Sequence, residues 1–97
     1  MSKLTLLHTA DVHLDAPALI LGERAVELRA RVRRAFARFI DEALRHEVDL
    51  VIIAGDLFDR RDPAGDTVEF ALAQLVLLRR DLLLLVQDAL LLLAARQ

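Results

Sequence analysis

Cysteine is absent from this sequence, which excludes a disulfide framework and any thiolate metal site, so a metal bound here must take nitrogen and oxygen ligands. A reducing compartment suits that composition, and the cytoplasm is the expected location. Tryptophan, tyrosine and asparagine are also missing, and the only aromatic residues are four Phe. No secretion signal is expected, because Met1 to Ala10 carries one Lys and only short apolar runs. Neither sign of charge dominates: a formal net charge of -2 predicts no global attraction to nucleic acid. An uninterrupted apolar run of membrane length is lacking too. The Leu-rich stretch Leu82 to Ala95 comes nearest, but Gln87 and Asp88 interrupt it and Arg79, Arg80 and Asp81 abut it. A span needs about 20 mostly apolar residues, so no membrane role is expected.

What is present argues for folding. Hydrophobic residues make up 56% of the 97 positions, enough for one small domain or part of a larger one. A chain of this size buries only about 60 to 65% of the surface that its unfolded form exposes, so its stability on its own is marginal. Leu4 to His8 reads as a buried strand running into a loop at Thr9-Ala10-Asp11, with Pro17 and Gly22 bracketing that loop. From about Glu23 to His46, residues Leu28, Val32, Phe36, Phe39, Ile40, Ala43 and Leu44 recur at three- and four-residue spacing and predict a long amphipathic helix. Asp49 to Ala54, closed by Gly55, has the pattern of a central parallel strand covered on both faces. Strand, helix, strand implies a right-handed crossover and two parallel neighbours, hence an α/β class. A polar loop from Asp59 to Asp66 follows, with Asp66 as the expected cap of a helix from Thr67 to Arg80. Leu82 to Val86 fits a third strand or a helix equally well, since periodicity does not separate the two in so short an apolar run.

The candidate chemistry lies just after the two strands. Asp11 and His13 are two apart, and in extended backbone that spacing turns both side chains to one side, where they can share an ion. A carboxylate with an imidazole suits manganese, iron or zinc better than magnesium or calcium. Gly55-Asp56 follows the second strand, at the carboxyl edge where ligand groups of open α/β sheets gather. Parallel pairing brings Asp56 close to Asp11, and two carboxylates beside an imidazole at a buried edge call for a cation. Gly55 permits close backbone approach, and Asp59 can orient the loop or a metal-bound group. The alternative is a turn bearing solvated Asp residues.

The words Leu6-Leu7-His8-Thr9-Ala10-Asp11-Val12-His13-Leu14-Asp15 and Val48-Asp49-Leu50-Val51-Ile52-Ile53-Ala54-Gly55-Asp56-Leu57-Phe58-Asp59 resemble the first two motifs of the calcineurin-like metallophosphoesterases, in particular the SbcD-like DNA-repair exonuclease branch. The resemblance covers roughly residues 3 to 63 and the helix between the motifs. It implies a βαβα piece of a metallophosphoesterase sandwich, with residues 1–65 carrying the first two metal motifs and residues 66–97 a helical, Leu-rich continuation that departs from the family pattern. It also implies phosphodiester hydrolysis at a two-metal centre, with Asp11 and His13 on the first metal, Asp56 bridging and Asp59 supporting. DNA is the implied substrate, and an ATPase subunit with coiled-coil arms the implied partner.

Other family motifs have no counterpart. A Gly-Asn-His motif needs asparagine, and the only histidines are His8, His13 and His46, so the complete two-metal centre is not expected to form within these residues. His8 reads as structural and Asp88 as a polar position on a helix face. Arg24, Arg29, Arg31, Arg33, Arg34 and Arg38 read as the solvated side of the long helix rather than as a phosphate-binding patch. Against the enzyme fragment stands a non-catalytic reading: a single-metal or protein-interaction module that self-associates through its Leu-rich C-terminal segment.

Overall fold

A computed structural model describes residues 3–17, 21–59, 63–78 and 82–87. Five elements alternate: β1 (Leu6–Ala10), α1 (Arg24–Arg45), β2 (Leu50–Ala54), α2 (Gly65–Leu75) and β3 (Leu83–Val86). The strands form one parallel sheet in the order β1-β2-β3. The α/β class is observed, and the third strand completes a βαβαβ run. Leu82 to Val86 is thereby resolved as strand, because residues 83–86 pair in register with Leu50 to Ile53 of β2. Asp88 and the rest of the Leu-rich stretch lie outside the described residues.

Alternation along the strands sorts the sheet into two unlike faces. Leu7, Val51 and Leu84 stand in one row and Thr9, Ile53 and Val86 in the next. These rows face the helices, and Val51 and Ile53 are fully buried. The intervening rows are Leu6, Leu50 and Leu83, then His8, Ile52 and Leu85. Leu6, Leu83 and Leu85 are half or more exposed there. The expectation that β2 is covered on both faces is therefore corrected: its apolar run is continuous, but among the described residues only one face carries a layer. A run of apolar residues records the tendency to be covered, not the presence of the cover.

α1 supplies most of the covering layer. Phe36, Ile40 and Ala43 are buried, while Val32, Phe39 and Leu44 pack against the same core. Each fully buried side chain of the size of Ile40 contributes about 1.5 to 3 kcal/mol relative to exposure. Phe36 stacks on Phe39 at a centroid distance of 6.3 Å and meets Phe70 of α2 at 6.4 Å, which joins the two helices. The chain leaves α1 through a left-handed Glu47 (φ 48°). Glu47 N–H donates to Leu44 O and Val48 N–H to Ala43 O, each at 3.2 Å, the paired bonds of a Schellman ending, and Val48 is buried in the core beyond it.

Two elements have boundaries that differ from expectation. β1 extends through Thr9 and Ala10, which pair with Ile53 and Ala54. α2 begins at Gly65 after Ala64 and ends at Leu75, so Asp66 is a first-turn residue rather than the cap. Among the described residues no helix is long and apolar enough to cross a membrane.

Candidate metal centre

The ladder between β1 and β2 does not stop where the strands stop. Asp11 N–H donates to Ala54 O at 3.0 Å, His13 N–H to Asp56 O at 3.1 Å, and Leu14 N–H to Leu57 O at 2.8 Å. Leu14, Leu57 and Phe58 are buried beneath this extension and anchor it to the core. The Asp11-to-Asp15 loop thus runs beside the Gly55-to-Asp59 loop at the carboxyl edge of adjacent parallel strands, as the sequence led one to expect.

Local geometry differs from expectation. Asp11 (φ 53°), His13 (φ 50°) and Asp15 (φ 60°) are all left-handed, so the extended-backbone argument for Asp11 and His13 fails. Non-glycine residues in this region cost about 1 to 3 kcal/mol each and persist only where surrounding contacts hold them. Gly55 is left-handed as well, at φ 68°. A Cβ on Gly55 would lie 2.0 Å from Asp11 Oδ1 and 2.8 Å from its Cγ, so the Asp11 carboxylate occupies the space that glycine leaves. Gln87, past the end of β3, accepts the Gly55 N–H on Oε1 at 2.7 Å while its own N–H donates to Ile53 O at 3.0 Å. Gln87 was missed in the sequence, where only its position after the third apolar run marked it.

Among the described residues the acidic groups have few counter-charges. Asp59 Oδ1 lies 3.2 Å from His13 Nδ1, but out of alignment, so that Nδ1 is buried without a hydrogen-bond partner. Asp11 and Asp56 form no ion pair among the described residues. Both are solvent-exposed, which corrects the picture of a buried edge and weakens the argument from desolvation. Among the described residues no group of three or more acidic or histidine side chains is gathered closely enough to hold a metal ion. The backbones of Asp11, His13 and Asp56 are brought together; their side chains are not closed into one cradle. His8 is exposed on the uncovered sheet face.

Three features fit a divalent ion nonetheless. The donor set combines carboxylates with an imidazole. Gly55 makes room for Asp11, and a carboxylate stands beside the ring nitrogen of His13, the arrangement that commonly orients a metal-binding histidine.

Asp15 belongs to a different group that sequence reasoning did not resolve. Arg33 Nε donates to Asp15 Oδ1 at 2.8 Å, a second guanidinium nitrogen reaches Asp15 Oδ2, and Thr67 Oγ1 donates to Asp15 Oδ2 at 2.6 Å. Arg33 also donates to Asp66 at 3.3 Å and lies 4.8 Å from the centroid of the Phe70 ring. The Arg33 hydrogen bond, with that from Thr67, holds the Asp15 carboxyl below its ordinary pKa against the opposing effect of burial. The Asp15 hydrogen bond in turn raises the Arg33 pKa. Arg33 is thus no part of a solvated face. It stands three residues before buried Phe36 and seven before Ile40, on the helix side that meets the core. Arg24, Arg31, Arg34 and Arg38 are exposed as expected, and Arg29 donates to Pro17 O at 3.0 Å.

The family model described as calcineurin-like phosphoesterase matches residues 4–87, running through β3. Metallophosphoesterase YhaO of Bacillus subtilis, itself described as uncharacterized, is 40% identical over 63 residues, which are 61% of this chain and 15% of that protein. The DNA double-strand break repair protein Mre11 of Methanopyrus kandleri is 35% identical over 77 residues, 76% of this chain and 16% of that protein. The Mre11 of Sulfurisphaera tokodaii is 37% identical over 78 residues, 77% of this chain and 18% of that protein. The chain spans less than a fifth of the length of these relatives.

Proposed function

Because the chain belongs to the calcineurin-like phosphoesterase family, we propose that it carries the opening metal motifs of a DNA exonuclease that hydrolyses phosphodiesters at a two-metal centre, with Asp11, His13 and Asp56 as ligands. The observation that carries this reading is the continued ladder, in which Asp11 lies against Gly55 and His13 is bonded through its backbone to Asp56. Asp11 and His13 would hold one ion, and Asp56 would contribute its carboxylate to the same centre. Asp59 stands 3.2 Å from Nδ1 of His13, and a small turn of the ring into hydrogen-bonding alignment would orient Nε2 toward the metal. Divalent ions in such a site act as Lewis acids toward the phosphodiester and lower the pKa of water. Manganese is one of the ions that suit the mixed carboxylate and imidazole set, and it is the ion we propose. DNA as substrate is supported by the relatives named for double-strand break repair. An ATPase partner and a cytoplasmic location complete the reading.

These 97 residues hold only part of that ligand set. The isolated chain therefore binds manganese weakly and turns over no phosphodiester. Calorimetric titration of manganese into the chain and into Asp56→Ala tests the first part: binding in the parent and none in the variant is expected, and equal heats would refute it. A chromogenic phosphodiester assay tests the second, and robust turnover by the purified chain would overturn it.

One observation favours a second reading, a module that self-associates. Leu6, Leu83 and Leu85 stand 50 to 58% exposed on the uncovered sheet face, a contiguous apolar surface on a small chain. Size-exclusion chromatography of the chain and of Leu85→Lys separates the two: an oligomer that the substitution disperses supports the module, and a parent that is already monomeric rejects it.

A further inference from the structure

The ligand loop is held at its start by the ladder to β2 and at its end by Asp15, and the second hold reaches both helices. Arg33 comes from the third turn of α1, and Thr67 from the first turn of α2. The two converge on one carboxylate with three hydrogen bonds, and Thr67 is buried, with 3% of its surface exposed. Arg33 is itself fixed on its remaining sides by Asp66 and by the Phe70 ring. A planar guanidinium clamped in this way sets the orientation of the carboxylate as well as its charge.

Asp15 is also one of three left-handed residues at alternate positions of the loop, with Asp11 and His13. Left-handed backbone at non-glycine positions relaxes when its external restraints are removed. Val12 and Leu14 intervene and pack into the core, so the loop has no freedom to absorb a movement of Asp15 without passing it to His13. We propose that Arg33 and Thr67 are positioning residues for metal binding: through Asp15 they hold the loop in the conformation that presents Asp11 and His13, though neither touches the ion. This inference rests on the metal reading given above.

The test uses the whole chain and two readouts. Manganese affinity is measured from the free-ion signal in electron paramagnetic resonance, for the parent, Arg33→Lys, Arg33→Gln, Thr67→Val and Asp56→Ala. Residues that orient metal ligands typically change affinity by roughly 10- to 100-fold when replaced, so Arg33→Gln is expected to weaken binding within that range. Arg33→Lys keeps the charge but loses the fork and falls between parent and Gln, while Thr67→Val, which removes one hydrogen bond at nearly constant shape, gives the smallest loss. A role in stability alone would lower the melting temperature and leave affinity below the transition unchanged. Parent-like affinity in Arg33→Gln alongside lost binding in Asp56→Ala overturns the positioning role and leaves the metal reading standing.

The second readout needs no metal. Amide resonances of Asp11 and His13 in the metal-free chain are expected to shift in Thr67→Val and Arg33→Lys, while those of β3 stay in place. Unmoved Asp11 and His13 resonances overturn the proposal even if the parent binds no manganese, and Thr67→Val keeps the test available should an Arg33 variant fail to fold.

Discussion

Replacing Gly55 by Ala separates the two uses the chain makes of that position. Its backbone is left-handed at φ 68°, where an L side chain costs about 1 to 2 kcal/mol. The new Cβ would also come within 2.0 Å of Asp11 Oδ1, far inside contact distance, and 3.3 Å from the Asp11 backbone nitrogen. The nitrogen is tolerable with a small shift. The carboxylate is not, but it ends an exposed side chain and can swing into solvent at little cost in stability. Gly55→Ala is therefore expected to lower stability by about 1 to 2 kcal/mol, or about 4 to 16 °C in melting temperature for a chain of this size, and to move the Asp11 carboxylate from its place. Thermal unfolding followed by circular dichroism measures the first effect, and manganese titration the second. Asp11→Ala provides the control: in that background Gly55→Ala should show only the backbone cost, so that any coupling in the double-mutant cycle comes from the carboxylate. A Gly55→Ala chain that melts with the parent and binds manganese as the parent does would refute both the left-handed turn and the Asp11 packing.

Two further outcomes follow from the packing and the charges. Asp15 has a lowered pKa when folded, so its stabilising contribution is fully present above its ordinary value of 3.8 and is lost as the pH falls through the lower folded value. Acid unfolding of Asp15→Asn should therefore show a shallower limb below about pH 4 than the parent, and an identical limb would contradict the clamp. Ile53→Ala, at a fully buried position on the helix-covered face, should cost about 2 to 5 kcal/mol in urea unfolding, a large share of the roughly 5 to 15 kcal/mol available to such a domain. Ile52→Ala, one residue away on the uncovered face, should cost less than half as much, and equal losses would mean that the outer face is covered after all.

Much of the fold could be read from the chain because its signals are local. The apolar spacing from Val32 to Leu44 reports a helix stripe, and the β-branched run ending in Gly55 reports a strand with a sharp exit. Pairing then follows from the strand-helix-strand order. What escaped reading depends on partners distant in sequence. Glu47 takes a left-handed ending usually marked by glycine, because Val48 is drawn into the core. Asp66 has the composition of a cap but sits inside the first turn, turned toward Arg33 from another helix. Leu83 to Val86 became a strand only through register with β2, which its own pattern does not encode. At the site, residue identity pointed to Asp11, His13, Asp56 and Asp59, whereas Arg33, Thr67 and Gln87 act through contacts that span 18, 52 and 32 positions. The spacing argument for Asp11 and His13 arrived at neighbouring loops through a backbone geometry the chain does not adopt.

Whether these loops take a divalent cation is tested most directly by adding substoichiometric manganese to the isotopically labelled chain and mapping which amide signals it broadens. Broadening centred on Asp11, His13 and Asp56, and absent in Asp56→Ala, is the predicted result. Signals lost instead along the acidic positions of α1, or evenly over the whole chain, would contradict the assignment of this edge as the metal site.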